Sequence, residues 1–286
     1  MNVATRWASD GRLNELALAR RELAALGVDV VDLADTNPTR WGLGSEAALE
    51  VVADAARRSG RYDPAPRGPL AAREALAARF GGSPEDYWLT ASTSEAYAWL
   101  FALLGDPGDA VGVPTPGYPL VEPLARYANL ATVGYPSHYL HPYGWTLDTE
   151  RLADVAARVK ALVVVDPGNP TGAWTRDSEW AAIERTGVPV IVDRVFGEYA
   201  LDAAASVPSD AGETALRGTF VLNGLSKLLC APGLKLAWLH APDVARDVAR
   251  TLDEIADTFL PVSAVMGAAL PGLLELADDV VAATRR

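Results

Sequence analysis

Two of the chain's three lysines, Lys227 and Lys235, fall within VLNGLSKLLCAPGLK (221–235), while 22 arginines are spread along the rest of the 286 residues. A composition that prefers Arg for solvation keeps Lys where Arg cannot serve, and an amine that must lose its proton to act as a nucleophile is such a place. A pair of solvated surface lysines accounts for the same residues, so the neighbouring motifs have to decide. Upstream, the apolar run VPVIVD (188–193) ends on Asp193. A carboxylate there is either a loop anchor or the partner of a ligand cation. Two unit charges about 4 Å apart interact by roughly 4 kcal/mol at an effective dielectric of 20, enough to keep a weakly basic ring nitrogen protonated. In ASTSEA (91–96), Ser92 and Glu95 have the spacing of a capping box. The helix they cap opens its free N–H groups beside the hydroxyls of Thr93 and Ser94, which is also the arrangement of an anion site.

The elements that must position these residues follow from periodicity. Helical spacing predicts helices over 11–26, 45–60 (begun by Ser45) and 70–80. Beyond residue 86, short apolar runs alternate with helices: YWLT (87–90), DAVGV (109–113), ATVGY (131–135), ALVVVD (161–166), VPVIVD, TFVLN (219–223) and LKLAWLH (234–240), with the tail from 270 read as one helix. Several runs are apolar without alternation, as in strands covered on both faces. The expected fold is α/β, a three-layer α/β/α sandwich with a mostly parallel central sheet. Ligands of such sheets bind beyond the carboxyl ends of the strands, where ASTSEA, PGNPTG, Asp193 and GLSK converge.

Composition excludes other classes. A formal net charge of −12 leaves no basic face for nucleic acid. Cys230 is the single cysteine, which rules out an intramolecular disulfide and points to a reducing, cytoplasmic compartment. No leader or membrane span is expected from the opening residues. His138, His141 and His240 complete no metal set, so no metal is expected.

Taken in order, GNPTG (168–172), VIVD closing on Asp193, GLSK and GLKLAW resemble the large domain of the fold-type I pyridoxal 5'-phosphate enzymes, specifically the class I/II aminotransferases of the aspartate aminotransferase superfamily. RYDPAPRGPLAAREALAARF and PTPGYP (114–119) extend the resemblance, which covers about residues 35–275. It implies a helical segment over 1–34 and a cofactor-binding large domain over 35–286. Lys227 would be the Schiff-base lysine and proton carrier, Asp193 the partner of the pyridine nitrogen, Asn169 the donor to the phenolic oxygen and Tyr118 the ring-stacking aromatic. Thr93, Ser94, Ser226 and Lys235 would surround the phosphate, with Tyr62 reaching that of a second subunit in a homodimer. The implied reaction is amino transfer between an amino acid and a 2-oxo acid. A lyase or decarboxylase on the same residues, or a non-catalytic shortened relative, are the alternatives.

The sequence departs from the family pattern at four places. Phe196 stands where a tyrosine is usual, Gly224 where a serine is common and Lys235 where an arginine is usual. The chain also ends 59 residues after Lys227, so the C-terminal small domain, with its carboxylate-binding arginine, is expected to be absent or severely shortened. Arg40, in TNPTRWGLG, is the candidate replacement for binding substrate, against the plainer reading of a loop arginine.

Overall fold

The computed structural model describes residues 4–7, 13–33, 35–44, 46–200 and 219–286. Residues 11 and 12 and the expected cap Ser45 lie outside the described residues. The strands are β1 (Tyr87–Thr90), β2 (Ala110–Thr115), β3 (Ala131–Leu140), β4 (Gly144–Leu147), β5 (Leu162–Val165), β6 (Val190–Asp193), β7 (Thr219–Gly224) and β8 (Ala237–His240). The helices are α1 (Glu15–Ala25), α2 (Glu46–Arg58), α3 (Leu70–Phe80), α4 (Thr93–Leu104), α5 (Val121–Tyr127), α6 (Thr149–Ala156), α7 (Asp177–Glu184), α8 (Leu225–Leu228), α9 (Arg246–Phe259), α10 (Ala264–Glu275) and α11 (Ala277–Thr284).

One sheet runs β1-β8-β7-β6-β5-β2-β3-β4. The centre, from β3 through β2, β5 and β6 to β7, is parallel; β8 is antiparallel to both its neighbours and β4 to β3. The sandwich follows from side-chain alternation. In β5 and β6, Val163, Val165 and Ile191 enter a core with α4, α5 and α9. Leu162, Val164, Val190 and Val192 face the other way, onto α6 and α7. At the β1 edge, Trp88 joins the first core while Tyr87 and Leu89 meet α2, α3 and α10. Both faces of the central strands are therefore covered, which is why they read as unbroken apolar runs.

Several boundaries differ from expectation. The run at 234–240 yields a strand only from Ala237, because Pro232–Leu234 forms a 3-10 turn and Lys235 takes a left-handed φ of 51°. The tail is two helices, not one; α10 begins at Ala264, runs through Pro271 and ends at Glu275, and α11 starts at Ala277 after Leu276. β4, α6 and α9 were not anticipated. Among the described residues no single helix is long and apolar enough to cross a membrane.

Candidate active site

β6 carries Asp193 to the carboxyl edge of the sheet and leaves it 3 % exposed. One carboxylate oxygen accepts from the Val195 N–H at 3.2 Å and the other from the Tyr97 hydroxyl at 3.1 Å. Burial pushes its pKa up to about 6; the Val195 N–H, Tyr97 and the charge of Lys227 oppose that rise. Tyr97, whose own ionisation burial drives far upward, remains a donor. It was not singled out in the sequence, because in TSEAYAWLFALL a tyrosine reads as one more core residue.

Lys227 stands on α8, and its Nζ lies 5.3 Å from the centroid of the Phe196 ring, a cation–π contact. Lys227, Ser226 and Asn169 line one cleft of about 830 Å³, together with Trp41, Trp174, Phe196 and Tyr199. The Asn169 loop is held by the Gly168 N–H to Ala173 O at 2.8 Å and by the Thr175 N–H to Asp166 Oδ1 at 2.7 Å. Asp166 is fully buried, burial raises its pKa, and its Oδ2 has no hydrogen-bond partner among the described residues.

Tyr118 is half-buried against the first core, and burial first and the charge of Asp193 second raise its phenol pKa. Thr93 and Ser94 open α4 one turn before Tyr97. Ser92 Oγ accepts from the Glu95 N–H at 3.2 Å, as the capping box requires, but the Glu95 carboxylate returns to the N–H of Ala91. The helix end is thus capped just beyond the carboxyl end of β1.

Of the remaining expected residues, Lys235, Tyr62 and Arg40 do not line that cleft. Lys235 is exposed on its left-handed turn, and Tyr62 is 70 % exposed. The Arg40 side chain, 69 % exposed, pairs with Asp35 at 3.1 Å, while its neighbours Pro38 and Trp41 line the cleft. Asp35 already takes up the Arg40 charge, so on the amino-acid substrates of an aminotransferase Arg40→Ala should leave KM within about 5-fold of wild type. Steady-state kinetics on the variant checks this; a loss nearer 100-fold would put Arg40 on the substrate. Gly224 has a packing reason, since a Cβ there would lie 2.8 Å from Ala237 Cβ in β8. A serine at this position would force β7 and β8 apart.

A buried carboxylate and a lysine at adjacent strand ends, beside an asparagine loop on the carboxyl edge of a parallel sheet, define an α/β sandwich built for a small-molecule site. The chain belongs to the aminotransferase class I and II family, whose model matches residues 29–285. It is 30% identical over 246 residues to nicotianamine aminotransferase 1 of Oryza sativa subsp. japonica, covering 80% of this chain and 49% of that protein. An S-alkyl-thiohydroximate lyase of Arabidopsis thaliana is 28% identical over 206 residues, 68% of this chain and 44% of the relative. Among solved structures, an alanine aminotransferase from Pyrococcus furiosus superposes with a TM-score of 0.82 at 25% identity, over 99% of this chain and 75% of that one. The chain spans about half the length of the first curated relatives it matches.

Proposed function

We propose that this chain is the cofactor-binding large domain, over residues 35–286, of a pyridoxal 5'-phosphate-dependent aminotransferase that moves an amino group between an amino acid and a 2-oxo acid. The observation that carries the reading is the cleft that Lys227, Ser226 and Asn169 line together, with the buried Asp193 carboxylate near enough for the charge of Lys227 to act on it. The residues present fit the cofactor. Asp193 has two donors, yet burial still holds its pKa near 6, so its ionised form gains from a cation placed against it, as a protonated pyridine nitrogen would be.

When bound, the cofactor supplies the electron sink for the pair left when a Cα bond breaks. The protein's part is to hold and to move protons. Lys227 Nζ would hold the cofactor's aldehyde carbon and, once released, carry the proton away from the substrate Cα. Asp193 would keep the ring nitrogen protonated, Asn169 would donate to the phenolic oxygen and Tyr118 would cover one ring face. Phe196 offers no hydroxyl to that oxygen; its ring lies against the lysine instead. The N-terminus of α4, with Thr93 and Ser94, would receive the phosphate together with Ser226 and Lys235. A second copy of the chain is the proposed partner, with Tyr62 meeting its phosphate.

Mixing the cofactor-loaded protein with a panel of amino acids tests the reading. One 2-oxo acid released per protein, without a co-substrate, is the expected result. Similarity to the Arabidopsis lyase supports a second reading on the same residues, which predicts continuous turnover of a single substrate. No spectral change with any amino acid would reject both.

A further inference from the structure

The turn from Asp193 to Tyr199 meets Lys227 at three points spaced three residues apart. Asp193 faces its charge, the Phe196 ring lies against Nζ, and the Tyr199 hydroxyl donates to the Lys227 main-chain carbonyl at 2.8 Å. The turn's own hydrogen bonds set that spacing: Gly197 N–H to Arg194 O at 2.8 Å and Tyr199 N–H to Phe196 O at 2.9 Å.

Lys227 needs such a hold because its platform is small. α8 is one turn of four residues, with little stability of its own and with terminal carbonyls that require outside partners. The Lys227 carbonyl receives two, the Cys230 N–H at 3.1 Å and the Tyr199 hydroxyl. Cys230 reaches its place with a φ of 50°, in the left-handed region that side chains other than glycine rarely adopt. Its Sγ lies 3.4 Å from Thr284 Oγ1, so α11 is joined to the same node.

We propose that Tyr199 is a positioning residue for the reactive amine: it fixes the Lys227 carbonyl while Phe196 lies against the ammonium, and together they set the direction of Nζ into the cleft, with Thr284 bracing the hold through Cys230. The inference rests on the reading of Lys227 as the cofactor-bearing amine and adds to it a residue that acts on the main chain carrying that amine.

Because the chain has only three lysines, limiting acylation of the unloaded protein, read peptide by peptide, measures Lys227 against Lys160 as an internal standard. Tyr199→Phe removes one oxygen and keeps the ring. The Lys227 to Lys160 ratio should rise about 3-fold, the order expected for one lost hydrogen bond. The visible circular dichroism per mole of bound pyridoxal phosphate should fall, with the far-ultraviolet spectrum retained. Thr284→Val should move both readouts the same way by less, and it carries the test if Tyr199→Phe does not fold. An unchanged ratio and unchanged visible dichroism, with only a lower melting temperature, would make Tyr199 a structural contact and overturn the proposal. Failure of wild-type Lys227 to take up cofactor would count against the functional reading instead, while the labelling ratio, measured without cofactor, would still decide the positioning role.

Discussion

On the proposed function, Asp193→Asn should lower amino-transfer turnover about 10³-fold while leaving the unloaded protein as stable as the wild type or more so near pH 7. The two effects have one cause. A carboxylate about 4 Å from a ring nitrogen contributes roughly 4 kcal/mol at an effective dielectric of 20, and asparagine contributes none of it. Without the cofactor, the same charge is a burden on the fold. The folded-state pKa of Asp193, about 6, stands above the 3.8 of an ordinary aspartate, so the folded protein binds the proton more readily than the unfolded chain. Stability from this group is therefore highest below about pH 4, is lost as pH rises toward 6, and stays lost above that, at a cost on the order of 3 kcal/mol. Asparagine keeps the shape, accepts from Val195 N–H and can donate to the Tyr97 oxygen. Thermal melts of both unloaded proteins across pH 4–8 check the sign. The advantage of the variant should shrink as pH falls, and an advantage that grew would contradict the assignment.

Lys227→Arg should cost about 10⁴-fold or more in turnover with little loss of stability. The guanidinium retains the positive charge near Asp193 and the stacking on Phe196. It remains protonated at any accessible pH, so it can neither bond the aldehyde carbon nor accept a proton from Cα. The variant should melt within a few degrees of wild type, bind cofactor only reversibly, and release it on gel filtration. Turnover within about 10-fold of wild type would remove Lys227 from the chemistry.

The placement of the candidate residues at strand ends was legible in the sequence. Asp193, Asn169 and Lys227 each follow an apolar run, and the fold of the parallel sheet brings such positions to one edge. The helpers were not legible. Tyr97 meets Asp193 across 96 residues of sequence, and nothing in its apolar helix distinguishes a hydroxyl that is used from one that is merely buried. Tyr199 acts on a main-chain carbonyl, a partner that leaves no sequence trace. The pairing of Arg40 was not legible either, since composition reveals a cation but not the carboxylate five residues away that it meets. β4 was too short to show a period. The apolar positions Val248, Leu252 and Ile255 of α9 do recur at helical spacing, so that helix was readable and was missed.

The account depends most on a covalent link at one lysine. Borohydride reduction of the folded, pyridoxal phosphate-incubated protein, followed by peptide mass analysis, should place the cofactor on Lys227 and not on Lys160 or Lys235. Unmodified Lys227 in that sample would contradict the account.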